Sequence, residues 1–249
     1  MWLQRTRHVW THEEAYIHPS ALPNGLLRVL KWPVALACLT MLPHLPRLLF
    51  DYLWVPLSLE AFEGIIVGAG VYFIAWLLVF RHAFSGSYVS TFEHELTHAL
   101  FAWATLHKVT GLKVTWRQGG ACFFEGSGGG NWLIAIAPYW FPTLSIAPLL
   151  VLPWVSSTAT LWVHASLGFV LFYHLTSTWR ETHREQTDLK ETGWMFAAAF
   201  LPSANLLCYG LILCFALRGA GAVGEMNHAL FQRSVSGVVD LWTLIWSLL

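Results

Sequence analysis

Four stretches of this sequence, residues 61–80, 132–155, 161–178 and 194–217, each run for about the twenty residues a helix needs to cross a bilayer core. Glu63 is the single charged residue among them. That feature leaves few folds open. Backbone groups in lipid have no water to bond, so each stretch has to satisfy its own hydrogen bonds as a helix. Composition agrees, with 56% hydrophobic and 11% charged residues, against about a quarter charged in a soluble domain. Three further stretches are less regular. Residues 32–50 are interrupted by Pro43, His44, Pro46 and Arg47, residues 90–106 carry two histidines, and residues 229–249 contain Arg233 and Asp240. The expected fold is therefore an all-α polytopic membrane protein of about six or seven membrane segments. Residues 1–31 are expected as a cytoplasmic amino-terminal segment and residues 32–249 as a single integral membrane domain, its core lying at about 88–217.

The 14 basic and 14 acidic residues form no polybasic face, which sets nucleic acid aside as a partner. Arg5, Arg7, Arg28 and Lys31 precede the first segment and Arg81 follows the second, so both of those ends are expected on the cytoplasmic side. Residues 1–30 have no continuous apolar core, and no cleavable signal is read there. Cys38, Cys122, Cys208 and Cys214 form no Cys-x-x-Cys pair and read as buried thiols.

Within the apolar run 90–106 stands His94-Glu95-Leu96-Thr97-His98. On a helix, positions i and i+4 share a face, so both imidazoles can hold one metal ion while Glu95 reaches a water on it. Polar groups inside a membrane segment are expensive and generally functional. The pattern is that of a catalytic zinc site, in which the ion lowers the pKa of its water to about 7 and a carboxylate takes the proton.

Such a site takes three protein ligands and leaves a position for water. Asp188, in Gln186-Thr187-Asp188-Leu189 ahead of a long apolar stretch, is the favoured third ligand. His174, His183, Glu181, Glu185 and Glu191 are alternatives. Asp188 can instead cap the helix that follows, with Glu191 at capping-box distance. Asn131 and Asn205 can each donate to an oxyanion, although capping or bridging of helices is the more ordinary use of such residues.

Between the motif and the next span, residues 110–116 are rich in β-branched residues, Gly119-Gly120 marks a turn, residues 121–125 form a second apolar run and residues 127–130 are a glycine-rich exit. This predicts a short β-hairpin after the motif helix, whose edge can take up an extended peptide.

The motif at 94–98, the glycine-rich hairpin, Ala137-Pro138-Tyr139 and the downstream aspartate together resemble the site-2 protease family of intramembrane zinc metalloproteases, most closely its small bacterial branch without a PDZ domain. The resemblance runs over about residues 91–205. Better-known members carry the aspartate in Asn-Pro-x-Pro-x-x-x-Asp-Gly, whereas residues 180–189 contain no proline and Leu189 follows Asp188. The resemblance implies one Zn²⁺ per chain held by His94, His98 and Asp188, with Glu95 as catalytic base. It implies hydrolysis of peptide bonds in a membrane protein or peptide substrate, inside the lipid bilayer of a bacterial inner membrane, with the active site toward the cytoplasm. The alternative is a membrane metal transporter or sensor that uses the same ligands without cleaving anything.

Overall fold

The computed structural model describes residues 18–54, 59–81, 83–115, 119–127, 130–183 and 185–248. Most of the expected amino-terminal segment, residues 1–17, lies outside the described residues. The chain runs through α1 (Ala21–Met41), α2 (Leu45–Leu53), α3 (Leu59–Ala75, continued by a π-helical stretch Trp76–Phe80) and α4 (Ala83–Ala104). Strands β1 (Lys108–Val114) and β2 (Gly120–Glu125) follow, then α5 (Trp132–Ile136), α6 (Ile146–Val151), α7 (Ser157–Glu181), α8 (Thr187–Thr192) and α9 (Trp194–Leu248). The protein is an all-α, multi-pass membrane protein with one small antiparallel sheet among its described residues.

Among the described residues, three helices, Leu59–Phe80, Ala159–Glu181 and Trp194–Asp240, are long and apolar enough to cross a membrane. Two bent pairs, Ala21–Met41 with Leu45–Leu53 and Trp132–Tyr139 with Thr143–Trp154, raise the number to five if each pair is one span. Their outward faces expose Leu78, Val71, Trp162 and Trp179, an apolar surface suited to lipid.

The stretch 132–155, uniform in hydropathy, is bent by 75°. Pro138, Pro142, Pro148 and Pro153 punctuate it, and each lacks the amide that would continue a helix. The stretch 32–50 bends likewise, by 61°, between Met41 and Leu45. Helix α9 is also two pieces, because Gly219 has φ 81° and ψ −179°, a conformation in which only glycine is comfortable.

In lipid, helices associate by close contact rather than by escape from water, so small residues mark their interfaces. Helices α3 and α7 show this. A β-carbon added to Gly68 would lie 1.8 Å from the Ala165 carbonyl oxygen, and one on Gly168 would lie 2.2 Å from that of Ile65. Backbone meets backbone there, with Leu167 and Leu171 buried alongside Ala61 and Ile65. A second cluster of Ala35, Ile136, Tyr139, Leu189, Phe196 and Phe200 joins α1, α5, α8 and α9. It anchors the short helix α8 through Leu189, which is fully buried.

The hairpin forms where expected, beginning at Lys108 rather than Thr110. Lys108 faces Glu125 and Val114 faces Gly120, with a bulge between Val109 and Gly111. Its exit is tied to α1. Asn24 donates to the Ser127 carbonyl (2.7 Å), Ser20 accepts from the Ser127 amide (2.8 Å), and Trp132 donates to the Leu27 carbonyl (2.6 Å). Helix α1 thus starts at Ala21, within the segment expected to precede the membrane domain, and packs on the hairpin exit. The four cysteines are free thiols, two buried and two half-buried.

Replacing Gly68 by Ala should cost about 1–3 kcal/mol through overpacking, read as a lower unfolding midpoint in detergent. Gly70→Ala is the control, because nothing lies within 4 Å of a β-carbon there. Equal midpoints for the two variants would remove the α3–α7 backbone contact from the account of this fold.

Candidate metal centre

Helix α4 carries His94, Glu95 and His98 and is fixed on two sides. On one, Thr97 donates to the Glu93 carbonyl (2.7 Å) and bonds the Thr143 hydroxyl (2.5 Å), while the Leu144 amide donates to the Glu93 carboxylate (3.3 Å). The bend between α5 and α6 therefore gives α4 a free backbone amide to hold. On the other side, α4 ends with Leu106 at φ 60° and the His107 amide bonded to the Ala102 carbonyl (2.8 Å), a left-handed helix end of the Schellman type. That reversal sends β1 and β2 back across the motif. A β-carbon on Gly120 would sit 2.6 Å from Glu95 Cγ, so only glycine lets β2 approach this carboxylate. Glu95 itself is 8% exposed.

The histidine rings lie 4.8 Å apart, centroid to centroid. Asp188 Oδ2 is 3.2 Å from His94 Nε2 and 3.6 Å from His98 Nε2. Asp188 is placed by α8, whose Leu189 is buried, and its carboxylate also accepts from the Tyr139 hydroxyl (3.1 Å). Burial alone would raise the Asp188 carboxyl. The His94 and His98 rings outweigh it and hold the group below the usual aspartate range, in the anionic form that ligates metal.

Each ring nitrogen turned away from Asp188 is also engaged. His98 Nδ1 donates to the Ile134 carbonyl (2.8 Å) and His94 Nδ1 to the Glu181 carboxylate (2.9 Å). Both rings thereby offer Nε2 toward the same point.

Two imidazoles and a carboxylate are the donor set of a catalytic zinc site. Ligand atoms about 2.0–2.2 Å from a tetrahedral ion lie roughly 3.3–3.5 Å from one another, and here one atom from each of the three residues falls within 4.8 Å of the others. The residues fit the ion. They line a cavity of about 980 Å³ whose wall also includes Asn24, Arg28 and Lys31 of α1 and Gly120 and Cys122 of β2. Space for water and substrate adjoins the three donors.

None of the other sequence candidates joins the three-residue donor cluster, although Asn131, Glu181 and Glu191 line the same cavity. His183 is exposed and takes a bond from the Glu185 amide (3.3 Å), and Glu185 pairs with Lys190 (3.1 Å). His174 is buried against the Tyr209 hydroxyl (2.5 Å). Glu191 is exposed at the cavity wall. Asn131 caps α5, accepting from the Leu133 and Ile134 amides at 3.1 Å each, and Asn205 donates to the Tyr139 (3.0 Å) and Leu201 (2.9 Å) carbonyls. Gln186, not Asp188, holds the N-cap position of α8 and makes no side-chain cap bond, while Asp188 lies in the first turn. Glu181, one of the alternative third ligands, touches the cluster at His94 Nδ1, on the side away from Asp188, and Tyr139 touches it through Asp188 without having been assigned a part. The one sequence signal for Glu181 is Ser177 four residues before it, on the same helix face.

Residues 65–249 match the family model described as Peptidase M50B-like, a range that holds the motif helix, the hairpin, Asp188 and α9. No curated protein and no solved structure matches the chain.

Substituting Asp188 by Ala should weaken zinc binding by more than the roughly 10- to 100-fold that follows loss of an outer-shell partner, while His183→Ala should leave it intact. Zinc stoichiometry by elemental analysis of the purified protein reads both. Full occupancy in D188A would remove Asp188 from the site.

Proposed function

The chain belongs to the Peptidase M50B-like family, and on that premise we propose that it is an intramembrane zinc metallopeptidase hydrolysing peptide bonds of membrane-embedded or membrane-proximal proteins. The observation that carries this reading is the meeting of His94, His98 and Asp188 within 4.8 Å, in a cavity that Glu95 also lines.

In this reading His94, His98 and Asp188 hold one zinc ion per chain. Zinc bound there supplies a water of pKa near 7 and an electrophile for a carbonyl oxygen. Glu95 takes the proton of the attacking water and returns it to the amine of the departing fragment. The shelter that β2 and α4 give Glu95 keeps bulk water from competing for that proton. Tyr139 and the histidines hold the Asp188 carboxylate in place.

A helical substrate hides its carbonyls in its own hydrogen bonds, so a cleaved segment has to unwind first. Strand β2, whose residues Gly120, Cys122 and Phe124 line the cavity, offers backbone groups to which an extended segment can add as a further strand. Membrane topology is proposed as follows. The two bent pairs, α3, α4, α7 and the two arms of α9 at Gly219 give seven segments, or six without the last arm. Arg28 and Lys31 at the start and Arg81 after α3 support a cavity facing the cytoplasm, and the proposed membrane is the bacterial inner membrane that the family resemblance implies.

A metal carrier or sensor built on the same ligands has no use for a general base. Glu95→Gln should keep one zinc per chain and lower cleavage of a membrane substrate by about 10²–10⁴-fold, measured as loss of a shortened transmembrane fragment. Chelation should abolish cleavage in the wild type and added zinc should restore it. Zinc lost with E95Q, or no cleavage by the wild type, would turn the reading toward a carrier or sensor, whereas cleavage unchanged in E95Q would remove Glu95 as the base.

A further inference from the structure

We infer that Glu181 is a positioning residue for the metal centre, orienting His94 and fixing which of its ring nitrogens faces the ion. The inference rests on the metallopeptidase reading above and extends it to a residue on a different helix from the motif. Glu181 ends α7, and its side chain is 19% exposed. One carboxylate oxygen, Oε2, accepts from His94 Nδ1 at 2.9 Å. The other, Oε1, accepts from the Ser90 hydroxyl on α4, and the Ser177 hydroxyl on α7 directs its single proton between Ser90 Oγ (2.9 Å) and Oε1 (3.2 Å).

Among the described residues Glu181 forms no ion pair with a lysine or arginine. Its partner there is the His94 ring, through Nδ1. A neutral imidazole carries hydrogen on one nitrogen only, so a carboxylate on Nδ1 selects the form whose free electron pair is on Nε2. His94 Nε2 is the atom 3.2 Å from Asp188. A carboxylate behind a ligating imidazole also raises its basicity and holds its plane. The Ile134 carbonyl does the same for His98, but a neutral carbonyl on a bent helix is a weaker acceptor than a carboxylate steadied by two hydroxyls.

The two acidic residues that touch the histidines are thereby separated by role. Asp188 faces both histidines on their Nε2 side, whereas Glu181 reaches one histidine from behind and has its second oxygen occupied by serines. Helix α7 is locked to α3 by the backbone contact at Gly68, so the orienting carboxylate sits on a rigid element.

The test uses the full-length protein in detergent. Zinc affinity is measured by competition with a chromophoric chelator, and the absorption spectrum of the Co²⁺-loaded protein reports ligand geometry. Wild type, E181Q, E181A and S90A/S177A are compared. We expect E181A to bind zinc roughly 10- to 100-fold more weakly, E181Q to fall between it and wild type because its amide oxygen still accepts, and both to show altered cobalt bands. S90A/S177A should follow in the same direction with a smaller change. A purely structural role would lower the unfolding temperature and leave the loaded cobalt spectrum alone. Wild-type affinity and spectrum in both Glu181 variants would overturn the inference. So would complete loss of stoichiometric zinc in E181Q, which would make Glu181 a ligand. If E181A fails to fold, the near-isosteric E181Q carries the same comparison. Absence of zinc from the wild type would instead sink the metallopeptidase reading itself.

Discussion

An imidazole buried among apolar helices needs partners on its ring nitrogens, because no water is there to supply them. Much of this fold follows from that requirement. His107 meets the Thr105 hydroxyl with one nitrogen and the Asn24 amide with the other. His94 and His98 are different in one respect. Each spends one nitrogen on a fixed acceptor and turns the other toward a single carboxylate oxygen shared between them. Two rings and one oxygen that converge in this way form a centre with a clear excess of donor electron pairs, which is what a cation requires.

Holding that convergence takes support from distant parts of the chain. The carboxylate rides on a six-residue helix whose place is set by Leu189 in the cluster with Ile136 and Phe196. The motif helix is held by the Leu144 amide, which is free because the segment bends there. The hairpin closes over Glu95 because position 120 has no side chain. Packing, proline placement and a missing β-carbon thus fix the relative positions of four reactive groups.

The local parts of this arrangement were legible in the sequence. The spacing of His94, Glu95 and His98 is helical geometry, and the Gly119-Gly120 pair between β-branched runs is turn chemistry, so both could be read from neighbours along the chain. The long-range parts were not. Uniform hydropathy over 132–155 hides a 75° bend, since window averages count apolar atoms and proline contributes little to them. Asp188 could be favoured but not separated from Glu181 or His183, because the choice depends on how α7 and α8 fold back on α4. The contribution of α1 was hidden for the same reason. Asn24 looks like a polar residue ahead of a span, and its bonds to Ser127, His107 and Asn131 exist only in three dimensions.

The position of α1 has a further consequence. It begins ahead of the range that matches the family, 65–249, yet Asn24, Arg28 and Lys31 form part of the cavity wall. The donors that would carry the reaction lie on one portion of the chain, while one border of the cavity where a substrate would sit belongs to another. A chain divided like this can change what it admits without disturbing what it does, so selectivity and reactivity are free to evolve at separate rates.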